Sequence, residues 1–212
     1  MFGIHSLPLF IVSCIMLNLT PGQDTMYIIG RSLTQGRKAG VLSVMGVMTG
    51  VLVHTLLAAF GLSVVLASSA IAFSVVKYAG AVYLIWIGIG YLRSPNLGAD
   101  TIEAGSLEEL KPGGIFRQGV LTNVLNPKVS LFFLSFLPQF VDPGTQLVFI
   151  PFLLLGMIFF TTGSIWCLLL VYGATWVTGR LRCRASLGGI IKKATGALFV
   201  GLGIKLAISG VQ

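Results

Sequence analysis

Two long stretches without Asp, Glu, Lys or Arg dominate this sequence, at residues 41–66 and 147–179. Runs of about 18 or more apolar residues are typical of helices that cross a bilayer. Only helices and closed barrels satisfy their backbone hydrogen bonds in lipid, and barrel strands would alternate apolar and polar residues. Charged residues make up only 9% of the chain, whereas a soluble domain has about 25%. The sequence therefore predicts an all-α membrane protein.

The apolar segments predict six transmembrane helices, at 5–30, 41–66, 71–92, 117–140, 147–176 and 188–209. Lys and Arg are concentrated in the first, third and fifth linkers and are absent from 67–70 and 141–146. Short basic loops stay in the cytoplasm, so we expect both termini outside and the loop 93–116 inside. This distribution accounts for the net charge of +8 without nucleic acid as a partner.

The predicted topology gives two halves of opposite orientation, at about 1–92 and 117–212, within a single transporter domain. The first helix of each half contains a polar break with a proline, which removes a backbone donor and clashes with the preceding turn. Corresponding broken helices in an inverted 3+3 repeat indicate a transporter binding site. The candidate substrate-binding or coupling residues of the two breaks are Asn18, Pro21, Gly22, Gln23, Asp24, Asn123, Asn126, Pro127 and Lys128.

Asp24 and Lys128 place formal charges inside the predicted helices. Each charge costs roughly 2.5–3.5 kcal/mol at a helix centre, and such residues usually face a cavity or a partner and mark a pathway. A structural ion pair between Asp24 and Lys128 is the alternative, as is an Asp24 that only caps the second half of its helix. His54, midway along the second helix, is either a proton relay or a buried group bonded to a carbonyl, and we favour the latter.

Two glycines on the second predicted helix indicate close helix packing. Gly46 and Gly50 have the spacing that lets helices approach closely, either within the bundle or between two copies in a homodimer.

Other features of the sequence point away from an enzyme or a metal site. Three scattered cysteines show neither a disulfide framework nor metal-ligand spacing, and no phosphate-binding loop or nucleophile elbow is present. We expect no cofactor.

The segments Leu19-Thr20-Pro21-Gly22-Gln23-Asp24 and Asn126-Pro127-Lys128, with the run 132–140 after the second, resemble the signatures of the LysE/RhtB family of bacterial amino-acid exporters. Gln23 stands where that family usually has a second proline. The resemblance implies an inner-membrane protein that exports lysine, homoserine, threonine, a lactone or a similar solute, and the charge pattern above predicts that its termini are periplasmic. It also implies that the proton-motive force drives export.

These observations predict a secondary exporter of a small zwitterion. Lys128 and the N-termini of the half-helices would bind the solute carboxylate, while Asp24, Asn126 and Gln23 would bind its ammonium. Asp24 would also carry the coupling proton. A passive channel or facilitator with the same fold is the first alternative, and an integral-membrane enzyme is a weaker one.

Overall fold

The structure is a computed structural model that describes residues 3–64, 70–93, 109–142, 145 and 147–174, together with separate residues between 193 and 208. Its helices are α1 (Leu7–Leu19), α2 (Gln23–Leu57), α3 (Ala70–Arg93), α4 (Pro112–Val124), α5 (Pro127–Phe136) and α6 (Phe149–Ala174). A π-helical turn at Ala58–Leu62 extends α2, and a 3-10 turn at Leu137–Phe140 extends α5. The described part of the chain forms no strand, which confirms the all-helical class.

The prediction of a loop between the first two helices is wrong. Residues 31–40 stay helical within α2, except at Gly36, which has φ 80° and ψ −178°. A side chain on Gly40 would lie 3.2 Å from Cβ of Ser32, although residues eight apart in a straight helix are about 12 Å apart. The chain therefore bends back sharply at Gly36, in a backbone region that essentially only glycine adopts.

Most of the other predicted segments agree with the structure in position. Helices α3 and α6 match the predicted segments 71–92 and 147–176 to within one or two residues. The fourth segment is broken as expected, because α4 and the helix that follows Pro127 meet at 47°. The sixth segment, 188–209, is described only in part, and most of the loop 93–116 lies outside the described residues.

The helices differ in whether they are long and apolar enough to cross a membrane. Among the described residues, the stretches Gln23–Leu62 and Phe149–Gly173 meet both criteria, and the first of them contains the turn at Gly36. A third is added if the bent pair Pro112–Val124 and Pro127–Phe140 is one span. These criteria concern length and composition alone. Large apolar side chains lie exposed on these helices, as at Leu57, which is 62% exposed, and Phe60, which is 59% exposed. A lipid environment accounts for that exposure better than water does.

Close packing of α2 against α4 fixes the centre of the bundle. A side chain on Gly50 would lie 2.7 Å from the side chain of Asn123 on α4, and one on Gly46 would clash with the carbonyl of Phe116. The two glycines therefore serve contacts within the chain. Beside them, a cluster of buried phenylalanines joins α1, α5 and α6 at Phe10, Phe132, Phe133, Phe136, Phe152 and Phe159.

The ends of the bundle can be recognised from contacts between distant segments. At one end, Gln35 donates a 2.9 Å hydrogen bond from its side chain to the carbonyl of Leu110. The basic turn of α2, residues 31–38, therefore lies beside the start of α4. The side chain of Arg31, only 2% exposed, donates to Gln118 at this same end. A separate contact joins His5 to Asp142 at 3.5 Å, which places the N-terminus beside the predicted fourth linker.

Candidate solute-binding site

The first break follows directly from Pro21. Thr20 is extended, with φ −77° and ψ 117°, as expected for a residue that precedes a proline. Because Pro21 has no N–H, the carbonyl of Leu17 loses its helical donor from residue 21. The ammonium of Lys128 donates instead to the carbonyl oxygens of Leu17, at 2.9 Å, and Thr20, at 2.7 Å. Lys128 thus covers the exposed carbonyl end of α1.

The second break repeats this arrangement at Pro127. The proline deprives the carbonyl of Asn123 of its helical donor, and Nε2 of His54 lies 3.2 Å from that oxygen. Since a carbonyl only accepts, Nε2 carries the hydrogen in this contact. His54 is only 7% exposed. The contact confirms the interpretation of His54 as a buried group bonded to a carbonyl.

Asp24 lies between the two breaks and is held by amide groups. Its Oδ2 accepts hydrogen bonds from the side-chain amides of Asn123, at 2.9 Å, and Asn126, at 3.1 Å. Oδ1 of Asn126 in turn accepts the backbone N–H of Lys128 at 3.0 Å and caps α5. Among the described residues, the only ion pair within 4.0 Å joins His5 and Asp142. The alternative of a direct Asp24–Lys128 ion pair is therefore wrong for this conformation.

A small cavity lies between the two breaks, α2 and α6. Its volume is about 40 Å³, room for about three water molecules at about 10–15 Å³ each. Within the described part of the chain, three buried polar atoms of its lining side chains have no hydrogen-bond partner: Oδ1 of Asp24, Oδ1 of Asn123 and Nε1 of Trp166. The full lining is Leu17, Asn18, Gly22, Asp24, Thr25, Val47, Met48, Val51, Asn123, Asn126, Lys128, Val129, Phe159, Trp166 and Cys167.

Most of the residues predicted for the site meet at this cavity. Six of the nine line it, and they are Asn18, Gly22, Asp24, Asn123, Asn126 and Lys128. Asn18 also donates to the hydroxyl of Thr162 at 3.4 Å. Pro21, Gln23 and Pro127 are exposed and lie outside the lining. The prolines therefore shape the breaks without facing the cavity, and the amide of Gln23 is not part of its wall.

Sequence reasoning missed the wall that α6 contributes. Phe159, Trp166 and Cys167 belong to the uncharged run 147–179, which carries no break or charge to single them out. The one available signal is Trp166, whose indole is the largest side chain with a polar atom in the described part of that run. Thr25 and Met48 were missed for the same reason, since neither residue type is unusual in a membrane helix.

Comparison with known proteins adds an independent line of evidence. Residues 15–210 match the family described as LysE type translocator. The chain is 32% identical to an uncharacterized membrane protein of Bacillus subtilis, over 97% of this chain and all of the relative. It is 28% identical to a leucine efflux protein of Enterobacter, over 97% of each chain. No solved structure matches this chain significantly.

A second leucine efflux protein, from Klebsiella pneumoniae, is 27% identical over 97% of this chain and 96% of its own. The family match spans most of the chain and includes both helix breaks and the cavity between them. These findings confirm the resemblance drawn from the two signature segments and indicate a transporter rather than an enzyme. This chain is a bacterial membrane protein that belongs to the LysE type translocator family.

Proposed function

We propose that this protein exports a small apolar amino acid, leucine or one of similar size, across the bacterial inner membrane. The observation that carries this proposal is the pair of unpartnered acceptors in the cavity, Oδ1 of Asp24 and Oδ1 of Asn123. A buried acceptor without a donor costs about 1–3 kcal/mol, and an ammonium group supplies three donors. We therefore assign the α-ammonium of the amino acid to these two oxygens.

The apolar wall of the cavity supports the choice of side chain. Around the polar groups lie Leu17, Val47, Met48, Val51, Val129 and Phe159. Among the described lining residues, Asp24 is the only acid, and its Oδ2 already accepts two amides. A lysine side chain would bring a second charge with no second carboxylate to meet it. The names of the two leucine efflux relatives agree with an aliphatic substrate.

The substrate carboxylate would lie on the side of the cavity where Lys128 meets the start of α2, since a Cβ on Gly22 would lie 3.5 Å from Nζ of Lys128. Lys128 uses two of its three N–H donors on carbonyls, which leaves one for an anion. The N-terminus of α2 has no side-chain cap, whereas that of α5 is capped by Asn126. Helix N-termini favour negative charge. Gly22 and Thr25 at the start of α2 line the cavity, so we assign the carboxylate to this end.

Transport requires the cavity to open, because about 40 Å³ holds water but not an amino acid. We take this conformation, in which the cavity is too small for the solute, as a state between the inward-open and outward-open forms. In this scheme the chain has six spans with both termini in the periplasm, and its two halves form an inverted repeat that rocks around the breaks. Asp24 releases the ammonium when it takes up a proton, which couples export to the proton-motive force.

The test is export of radiolabelled leucine by the purified protein in proteoliposomes, with and without an imposed proton gradient. Asp24→Asn keeps an acceptor for the two amides but removes the charge, so we expect loss of gradient-driven transport with normal folding. Asp142→Asn is the matched control, since Asp142 is 54% exposed at the end of the bundle. Gradient-driven transport by Asp24→Asn at the wild-type rate would refute the role of Asp24.

The same vesicles distinguish an exporter from a passive channel or facilitator. An exporter accumulates leucine against its concentration gradient, and an uncoupler abolishes that accumulation. A channel only equilibrates leucine, and the proton gradient does not change its end point. Equilibration alone, in the wild-type protein, would reject the coupled mechanism while leaving the binding site intact.

A further inference from the structure

The indole of Trp166 lines the cavity but belongs to neither helix break and carries no charge. Trp166 lies on α6, one residue before Cys167 and about two helical turns after Phe159, and all three line the cavity. Its Nε1 is buried without a hydrogen-bond partner in the described part of the protein. An indole N–H only donates, and buried tryptophans usually find an acceptor for it.

The amide donors of the cavity, in contrast, already have acceptors. The side-chain amides of Asn123 and Asn126 donate to Asp24. The amide of Asn18 donates to the hydroxyl of Thr162. The indole N–H of Trp166 is thus a buried donor held ready for an acceptor that the protein does not supply.

Among the described residues that line the cavity, the buried side-chain atoms without a hydrogen-bond partner are two acceptors, on Asp24 and Asn123, and one donor, on Trp166. An α-amino acid carries the complement of this set, since its ammonium donates and its carboxylate accepts. We infer that Trp166 is a substrate-positioning residue whose indole N–H donates a hydrogen bond to the substrate carboxylate. This inference rests on the proposed function and adds a recognition element on α6 that faces the site formed by the two breaks.

The inference also predicts that α6 contributes to selectivity for amino acids over simple amines. An amine of the same size could place its cation at Asp24 and its carbon chain against the apolar wall. It would leave the indole N–H unpartnered, and sites built to bond a polar group reject analogues that lack it. Trp166 would therefore favour solutes that carry a carboxylate.

The experiment uses competition against radiolabelled leucine in counterflow, with leucine and with 3-methylbutylamine, which is leucine without its carboxylate. Trp166→Phe keeps an aromatic ring and removes the N–H. We expect the apparent affinity for leucine to fall by about tenfold or more, and the affinity for the amine to stay unchanged. Trp86→Phe is the matched control, because Trp86 is 70% exposed. Equal losses for leucine and the amine would assign Trp166 a packing role only and overturn the inference.

A second measurement keeps Trp166 intact and so does not depend on the folding of that variant. The sequence has three tryptophans, and replacing Trp86 and Trp176 by Phe leaves Trp166 as the sole indole fluorophore. Leucine should shift the emission of Trp166, and 3-methylbutylamine should not. The same response to both ligands would overturn the inference. If the wild-type protein fails to bind leucine at all, the proposed function fails with it, whereas leucine transport that is insensitive to Trp166→Phe refutes only the role of Trp166.

Discussion

The ammonium group of Lys128 donates a 2.7 Å hydrogen bond to the backbone carbonyl of Thr20, across the gap between the two broken helices. Its second bond, to the carbonyl of Leu17, replaces the helical donor that Pro21 cannot supply. His54 does the same for the carbonyl of Asn123, which Pro127 leaves without its helical partner. Each carbonyl also accepts one nearby backbone N–H, that of Thr20 at Leu17 and that of Asn126 at Asn123. Each proline therefore comes with a side chain from another helix that adds a second donor to the freed backbone oxygen.

This arrangement explains how a polar break persists in a membrane protein. An unsatisfied backbone carbonyl in a water-free interior costs several kcal/mol, so a break without such partners would tend to close or to admit water. By donating to these carbonyls, Lys128 and His54 stabilise the breaks, and the breaks hold Asp24 and its amide partners in the wall of the cavity. The breaks are thus a rigid frame on which recognition groups are placed.

The role of His54 can be tested with a pair of substitutions. Gln places an amide nitrogen at about the reach of His Nε2, so His54→Gln should keep the bond to the carbonyl of Asn123 and retain export. His54→Leu removes this donor and leaves the carbonyl with the N–H of Asn126, so we expect a stability loss of about 1 kcal/mol. Thermal unfolding and leucine efflux, measured on both variants, separate the two roles. Loss of export in a stable His54→Gln protein would instead support a proton relay.

The close contact between α2 and α4 gives a second prediction. A methyl group on Gly50 would meet Cβ and Oδ1 of Asn123 at 2.7 Å, so Gly50→Ala must displace the side chain that bonds to Asp24. We expect weaker leucine binding and a destabilisation of about 1–3 kcal/mol from overpacking. Gly61→Ala is the control, because nothing lies within 4 Å of its Cβ position. Equal binding by the two variants would show that the position of Asn123 does not matter for recognition.

Local signals in the sequence were sufficient to find both breaks. A proline between polar residues dictates its own backbone geometry, and this is why 18–24 and 123–128 could be singled out without knowledge of the fold. The pairing of the breaks was harder to predict in detail. Asp24 bonds to Asn123 and Asn126 across 99 and 102 residues of sequence, and no local rule distinguishes amide partners from the lysine next to them.

At Gly36 the charge pattern led to the wrong prediction of a loop. Basic residues at 31–38 suggested a polar loop, yet Arg31, Leu33, Gln35 and Lys38 are all good helix formers. One glycine with a positive φ suffices to turn the chain, so the loop shrinks to a single residue. The wall formed by α6 was missed for another reason, because an apolar run offers no sequence signal for which of its faces lines a cavity.

The orientation of the chain in the membrane is open to direct test. The basic turn around Gln35 contacts Leu110, near Lys111 and Arg117, so basic residues from two predicted loops gather at one end of the bundle. The positive-inside rule places that end in the cytoplasm. Reporter fusions after residue 66 and at the C-terminus should both read periplasmic. A cytoplasmic C-terminus would contradict the six-span topology and the inverted repeat together.

The last prediction concerns whether Asp24 and Lys128 stabilise the protein as a pair or through separate partners. Lys128 donates to the carbonyls of Leu17 and Thr20, and Asp24 accepts from two asparagines, so each has its own structural partners. Lys128→Met removes the ammonium donor from both carbonyls and leaves that of Leu17 with the N–H of Thr20, and we expect a destabilisation of about 1–3 kcal/mol. Asp24→Asn keeps an amide oxygen for Asn123 and Asn126 and should destabilise the protein much less. Lys38→Met, at an exposed position on the basic turn, is the control for the lysine change.

The double variant, Asp24→Asn with Lys128→Met, separates this arrangement from a simple ion pair. If the two charges mainly neutralised each other, removing both would restore stability, because breaking a buried pair costs about 3–5 kcal/mol through the one charge left behind. The observed contacts predict the opposite result, since the carbonyls of Leu17 and Thr20 still lack the ammonium donor of Lys128 in the double variant. We therefore expect it to remain at least as unstable as Lys128→Met and to export no leucine. Thermal unfolding and efflux of the four proteins in the same vesicles decide the matter, and recovery of both properties in the double variant would reject separate roles for Asp24 and Lys128.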